Sequence, residues 1–105
     1  MPGEFTAANR RLILSRDDDR CLVCGRPVWD DAQVHHRQLR SQGGRHEVAN
    51  GITVCLWCHG MIHGNVRAAI LSGHIVSSWD APDEMPLTSW RGRILLGTDG
   101  SWCLA

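Results

Sequence analysis

Two cysteine pairs share one spacing, "CLVC" at Cys21 and Cys24 and "CLWC" at Cys55 and Cys58, with 30 residues between them. Each pair offers two sulfurs from a single turn, and four thiolates make a closed tetrahedral set for zinc. A closed set has no open coordination position, so Cys21, Cys24, Cys55 and Cys58 are expected to hold a structural Zn2+ that does no chemistry. A disulfide framework is the weaker reading. The first 19 residues lack a basic stretch followed by a long apolar run, so no secretory signal is expected. Cys103 is left without a partner in this pattern.

The histidines form a second constellation. His35 and His36 are adjacent in "VHHRQLRSQGG", and His59 and His63 close the segment "HGMIH". Residues i and i+4 of a helix share a face about one turn apart, so His59 and His63 can share one metal ion. The intervening Glu of zinc-protease helices is missing, which argues against a metalloprotease. The adjacent pair poses a geometric difficulty, because a strand sends neighbouring side chains to opposite faces. Two imidazoles serving one site therefore call for a twist or bulge at that point of the strand.

The elements that must position these groups are short. "TAANRRLILSR" reads as a helix capped by Thr6, with Ala8, Leu12 and Ile13 toward the core. "CLVCGRP" is a tight knuckle whose turn uses Gly25. "DAQVHHRQL" has strand character around Val34, and "GITVCLW" is rich in β-branched residues. "WCHGMIHGNVRAAIL" is helical with a break near Gly64 or Asn65 and a second short helix from Val66 to Leu71. "GHIVSSW" suggests a strand and "APDEMP" a loop. "GRILLGTDGSWCLA" reads as a hairpin, since Asp-Gly between apolar runs favours a tight turn. Trp79, Trp90 and Trp102 are expected to lie in the core or cover the sheet.

A chain of 105 residues fits one domain, here 1–105, with a core at about 16–65 and an accessory tail at about 66–105. That size buries a modest core and commonly leans on a metal. No apolar run is long enough for a membrane span. Net charge is zero, so global charge points to no partner. Between Ala32 and Ile70, however, Arg37, Arg40, Arg45 and Arg67 stand against one acid, Glu47. All eleven basic residues are Arg.

The order Cys-x-x-Cys, His-His, Gly-Gly, Asn50, Cys-x-x-Cys-His resembles the HNH endonucleases over roughly residues 16–65. The run from His35 to His63 is also similar to the active-site motif of the nuclease colicins. Those lack the four cysteines, so the chain most resembles the zinc-clamped branch found in phage and restriction-type HNH proteins. The resemblance implies an α+β fold: a small ββα-metal HNH core clamped by a four-cysteine zinc site, with an N-terminal helix and a C-terminal β-hairpin.

It also implies a role for each matching residue. His36 becomes the general base that takes a proton from the attacking water. His35, at a position where many relatives have Asp, becomes a ligand of one catalytic divalent metal together with His59 and His63. Asn50 helps fix the orientation of His36. Arg37, Arg40 or Arg45 becomes a phosphate contact, with Arg37 favoured. The implied reaction is hydrolysis of a DNA phosphodiester to a 5′-phosphate and a 3′-hydroxyl. The ion is Mg2+, Mn2+, Ni2+, Co2+ or Zn2+, and three imidazoles suit the transition metals better than Mg2+.

By analogy, small HNH proteins of this kind belong to phages or prophages and work beside the DNA-packaging terminase in the bacterial cytoplasm. The competing readings are a non-catalytic zinc-clamped DNA-binding module, and a docking protein using its Trp-rich tail. His46 and His74 stand outside the constellation and are expected to be exposed and structural, respectively.

Overall fold

The computed structural model describes residues 5–39 and 47–105. Arg40, Arg45, His46 and the Gly43-Gly44 pair lie outside the described residues. The fold is α+β. A ten-residue helix α1 (Ala7–Arg16) precedes the cysteine knuckle, and strands β1 (Gln33–His36) and β2 (Gly51–Val54) form an antiparallel pair. Helices α2 (Leu56–Gly64) and α3 (Val66–Leu71) follow, and strands β3 (Leu87–Ser89), β4 (Gly92–Leu96) and β5 (Trp102–Leu104) make a separate antiparallel sheet. No helix among the described residues is long and apolar enough to cross a membrane.

Local chemistry sets the boundaries. Thr6 caps α1, its hydroxyl accepting the Asn9 amide at 3.1 Å. Asp18 and Asp19 then adopt left-handed backbone conformations that stop the helix. Asn65 ends α2 and caps α3 with its side chain, which accepts the Ala68 amide at 3.2 Å. The break therefore falls where the sequence indicates. The expected α1 face is different: Ala8 and Leu12 are exposed, and Ile13 and Arg16 turn inward.

Arg16 is buried because its guanidinium replaces apolar packing with polar closure. It makes a two-pronged ion pair with Asp17 (2.7 and 2.9 Å) and donates to the carbonyls of Val48 and Gly51. Asp17 in turn accepts the Thr53 amide at 2.9 Å, and the Leu22 amide donates to the Thr53 carbonyl. The edge of β2 that does not face β1 is thus covered, and the end of α1 is fastened to it.

The tail does not begin as a strand. Gly73 turns at φ +77°, and a Cβ there would fall on the Pro86 carbonyl and within 2.8 Å of Leu87 Cα. Ile75 and Val76 beyond it are buried, but side chains take the place of a ladder. Gln38 donates to the carbonyls of Ser77 and Asp80, and the Val76 amide donates to the Arg37 carbonyl just past β1 at 2.8 Å. The segment read as a loop carries a short 3-10 turn, Pro82–Glu84. The expected hairpin forms as β4 and β5, and β3 extends it to three strands.

The tryptophans depart from expectation. Trp79 is 94% exposed, and Trp90 and Trp102 are 45% and 39% exposed. The last two sandwich the Arg91 guanidinium, whose central carbon sits 5.3 and 4.5 Å from their ring centroids. Trp79 lies in a turn outside the three-stranded sheet.

Candidate active site

The four thiols converge as the spacing demands. Cys21 and Cys24 come from the knuckle, Cys55 caps α2, and Cys58 lies one turn in. Their sulfurs lie within 4.8 Å of one another, with Cys24 and Cys55 at 4.0 Å. Sulfurs on a tetrahedral zinc at about 2.3 Å stand roughly 3.8 Å apart, so the set fits that ion. Burial pushes the Cys21 and Cys58 thiols up from their ordinary values. A bound cation reverses that tendency by favouring the thiolates.

A second cluster forms one turn further along α2. One ring nitrogen each of His35, His59 and His63 lies within 4.8 Å of the others. The Nε2 atoms of His59 and His63 are 3.1 Å apart. Imidazole nitrogens sharing an ion at about 2.1 Å stand roughly 3.0–3.4 Å apart, so this pair is spaced as two ligands. His35 Nε2 lies 2.8 Å from the His74 carbonyl, which only accepts, so that nitrogen carries the proton. Burial, with the charges of His59 and His63 adding to it, lowers the His35 pKa to about 3. Burial and then His63 lower His59 as well. Both rings are therefore neutral and able to bind a metal near neutral pH.

His36 is not part of this cluster. β1 and β2 keep an unbroken antiparallel register, with His35 opposite Ile52 and His36 opposite Gly51, so the expected bulge is absent. Strand alternation holds: His35 turns toward α2, and His36 toward the residues that lead into α1, where it stacks on Phe5 with centroids 4.3 Å apart and planes 23° apart. Gly51 makes room for that stack, since a Cβ there would meet Phe5 Cζ at 2.8 Å. Both histidines nevertheless line one cleft of about 660 Å³, because it includes side chains from both faces of β1. Its lining also includes Phe5, Arg10, His59 and His63, and no carboxylate among the described residues.

Asn50 is fully buried. Its side chain accepts the Gln38 amide at 2.6 Å and donates to the Gln38 carbonyl at 3.3 Å, while its own carbonyl accepts the Arg37 amide. It therefore braces the chain just after His36.

The expectation that Arg37 contacts phosphate does not hold. Its side chain is fully buried, and its guanidinium donates to the carbonyls of Gly73, Ala49, Pro82 and Met85 at 2.6–3.2 Å. These carbonyls surround the guanidinium and leave it no access to a ligand. Burial, then the Arg16 charge, pulls its pKa down to about 9, so it stays cationic at neutral pH. The cationic side chain that does line the cleft is Arg10, on α1, whose Nη2 also donates to the Ala32 carbonyl at 3.3 Å. Sequence reasoning missed Arg10, Phe5 and the part played by His74. The run of arginines in α1 carries no sign of which one faces a cleft.

Comparison with known proteins agrees with this geometry. No curated protein and no solved structure gives a significant match. Residues 21–65 match the family model described as HNH endonuclease, a span that takes in both cysteine pairs and the four histidines of the cleft. Over that stretch the chain is similar to the HNH endonuclease family.

Proposed function

We propose that the chain is a metal-dependent HNH endonuclease that hydrolyses DNA phosphodiester bonds with His36 as general base. The observation that carries this reading is the division of the four imidazoles. Three converge as a ligand set, and the fourth lines the same cleft outside that set. In this reading His35, His59 and His63 hold one divalent ion, and the four cysteines hold a structural zinc. When bound, the divalent ion supplies Lewis-acid polarisation of the scissile phosphate and stabilises the leaving oxygen.

The protein's own groups do the rest. His36 accepts the proton of the attacking water, and Phe5 holds the plane of its ring. Asn50 fixes the backbone on which His36 sits. Arg10 gives the cleft a cationic side chain for the DNA backbone. One domain spanning the chain, a place in phage DNA packaging, a terminase partner and a cytoplasmic setting belong to this proposal through resemblance alone.

Supercoiled plasmid tests it. Metal-stripped protein supplemented with Mg2+, Mn2+, Co2+, Ni2+ or Zn2+ should nick the plasmid. His36→Ala should lower the rate by about 10²- to 10⁴-fold while leaving DNA binding intact. Unchanged cleavage by that variant removes His36 from its role. Binding without cleavage under every metal identifies a DNA-binding module instead.

A further inference from the structure

The three-imidazole cluster is not completed within the segment that matches the family. His35 donates its Nε2–H to the carbonyl of His74, which lies beyond residue 65. That carbonyl is held in place from several directions. Gly73 supplies a turn that no side chain fits, and its carbonyl accepts Arg37 Nε at 2.9 Å. The His74 amide donates to the Ala69 carbonyl, and the His74 ring donates its own Nε2–H to the Thr88 carbonyl at 2.7 Å. Thr88 is in β3, so the chain of contacts runs from the tail sheet to the ring of His35.

We propose that His74 is a positioning residue for the metal site: its carbonyl locks His35 as the Nε2–H tautomer, so that Nδ1 is the atom presented beside His59 and His63. This rests on the metal-binding reading above. An imidazole binds a metal through its unprotonated nitrogen, and the hydrogen bond made by the other nitrogen selects which one that is. The tail is then part of the site's construction. Its role is to aim a ligand that the HNH segment supplies.

The test uses the full chain with its thiols loaded with zinc. Long-range proton–nitrogen NMR of the wild type should read His35 as Nε2–H, and added Cd2+ should couple to its Nδ1. Cd2+ affinity at the imidazoles should fall about 10- to 100-fold in His74→Leu, which loses the ring's anchor on Thr88. His74→Gln keeps an N–H donor and should recover much of that loss. An Nδ1–H tautomer in the wild type, or a folded His74→Leu that binds Cd2+ like the wild type, overturns the proposal while leaving the metal site standing. A wild type that takes up no ion beyond the thiol zinc overturns the metal reading itself, and this proposal with it.

Discussion

The two clusters on α2 lie about one turn apart and are built in opposite ways. The thiol cluster draws all four residues from a knuckle and a helix start, and three of them are buried. It is self-contained, and four thiolates would leave a bound zinc no open position. The imidazole cluster has one buried, one half-buried and one exposed member, and it opens on a cleft. Its buried member depends on a carbonyl from the tail. On the proposed reading the imidazole site admits a substrate and cannot be closed by its own ligands, so its rigidity would have to come from elsewhere in the chain.

Removing one ligand from each cluster tests this contrast most severely. Cys58→Ser should abolish the ordered fold, since a structural zinc supplies on the order of 10 kcal/mol of folding free energy in a small domain. Circular dichroism and zinc content would read it, and a native-like variant would mean that the thiols are ordinary core residues. His59→Ala should instead leave the fold within about 1 kcal/mol of the wild type, as a surface substitution does. It should lower plasmid nicking by about 10³-fold, comparable to the loss of a general base. A large drop in melting temperature would show that the two clusters are not separate in kind.

Arg37 joins the tail to β1, so it probes the dependence of one cluster on the tail. Arg37→Leu takes the guanidinium away from four carbonyls, of which that of Pro82 keeps the Met85 amide as a donor, and should cost about 3–5 kcal/mol. In the protein that remains folded, thiol zinc should stay at one equivalent while metal affinity at the imidazoles falls. Equal loss from both sites would count against a selective link. Arg37→Lys should not rescue, because an ammonium cannot span four carbonyls as a planar fork does.

The smallest expected effect is a pH slope. With no metal on the imidazoles, His35 titrates at about 3 in the folded chain and near 6.5 when unfolded, because burial disfavours its charged form. Between those values the unfolded chain binds more protons, so stability falls as pH falls through this window. One such group contributes up to roughly 1.4 kcal/mol per pH unit. Urea melts of wild type and His35→Leu between about pH 7.5 and 5.5 should therefore converge or cross in favour of the Leu variant on acidification. Parallel curves would place His35 in a wetter setting than the structure gives it.

What is local and chemically distinctive could be read from the chain alone. The thiol pairs, the His59–His63 pair, the Thr6 cap, the break at Asn65 and the β4–β5 hairpin all follow from residue type and short spacing, while His35 joins the imidazole set only through the family resemblance. The unbroken alternation along β1 replaced the twist or bulge expected there, and the way both histidines reach one cleft was not legible. That depends on the open edge of a two-stranded sheet, where side chains from both faces line the same space. Tertiary structure alone placed Arg37 in the interior, Arg10 at the cleft and the His74 carbonyl behind His35. The physical reason is that the decisive partners are backbone carbonyls 12 to 48 residues away for Arg37, three of the four at least 36 away, and 39 away for His35. A carbonyl is the same on every residue, so no pattern of side chains announces which one a buried donor will meet.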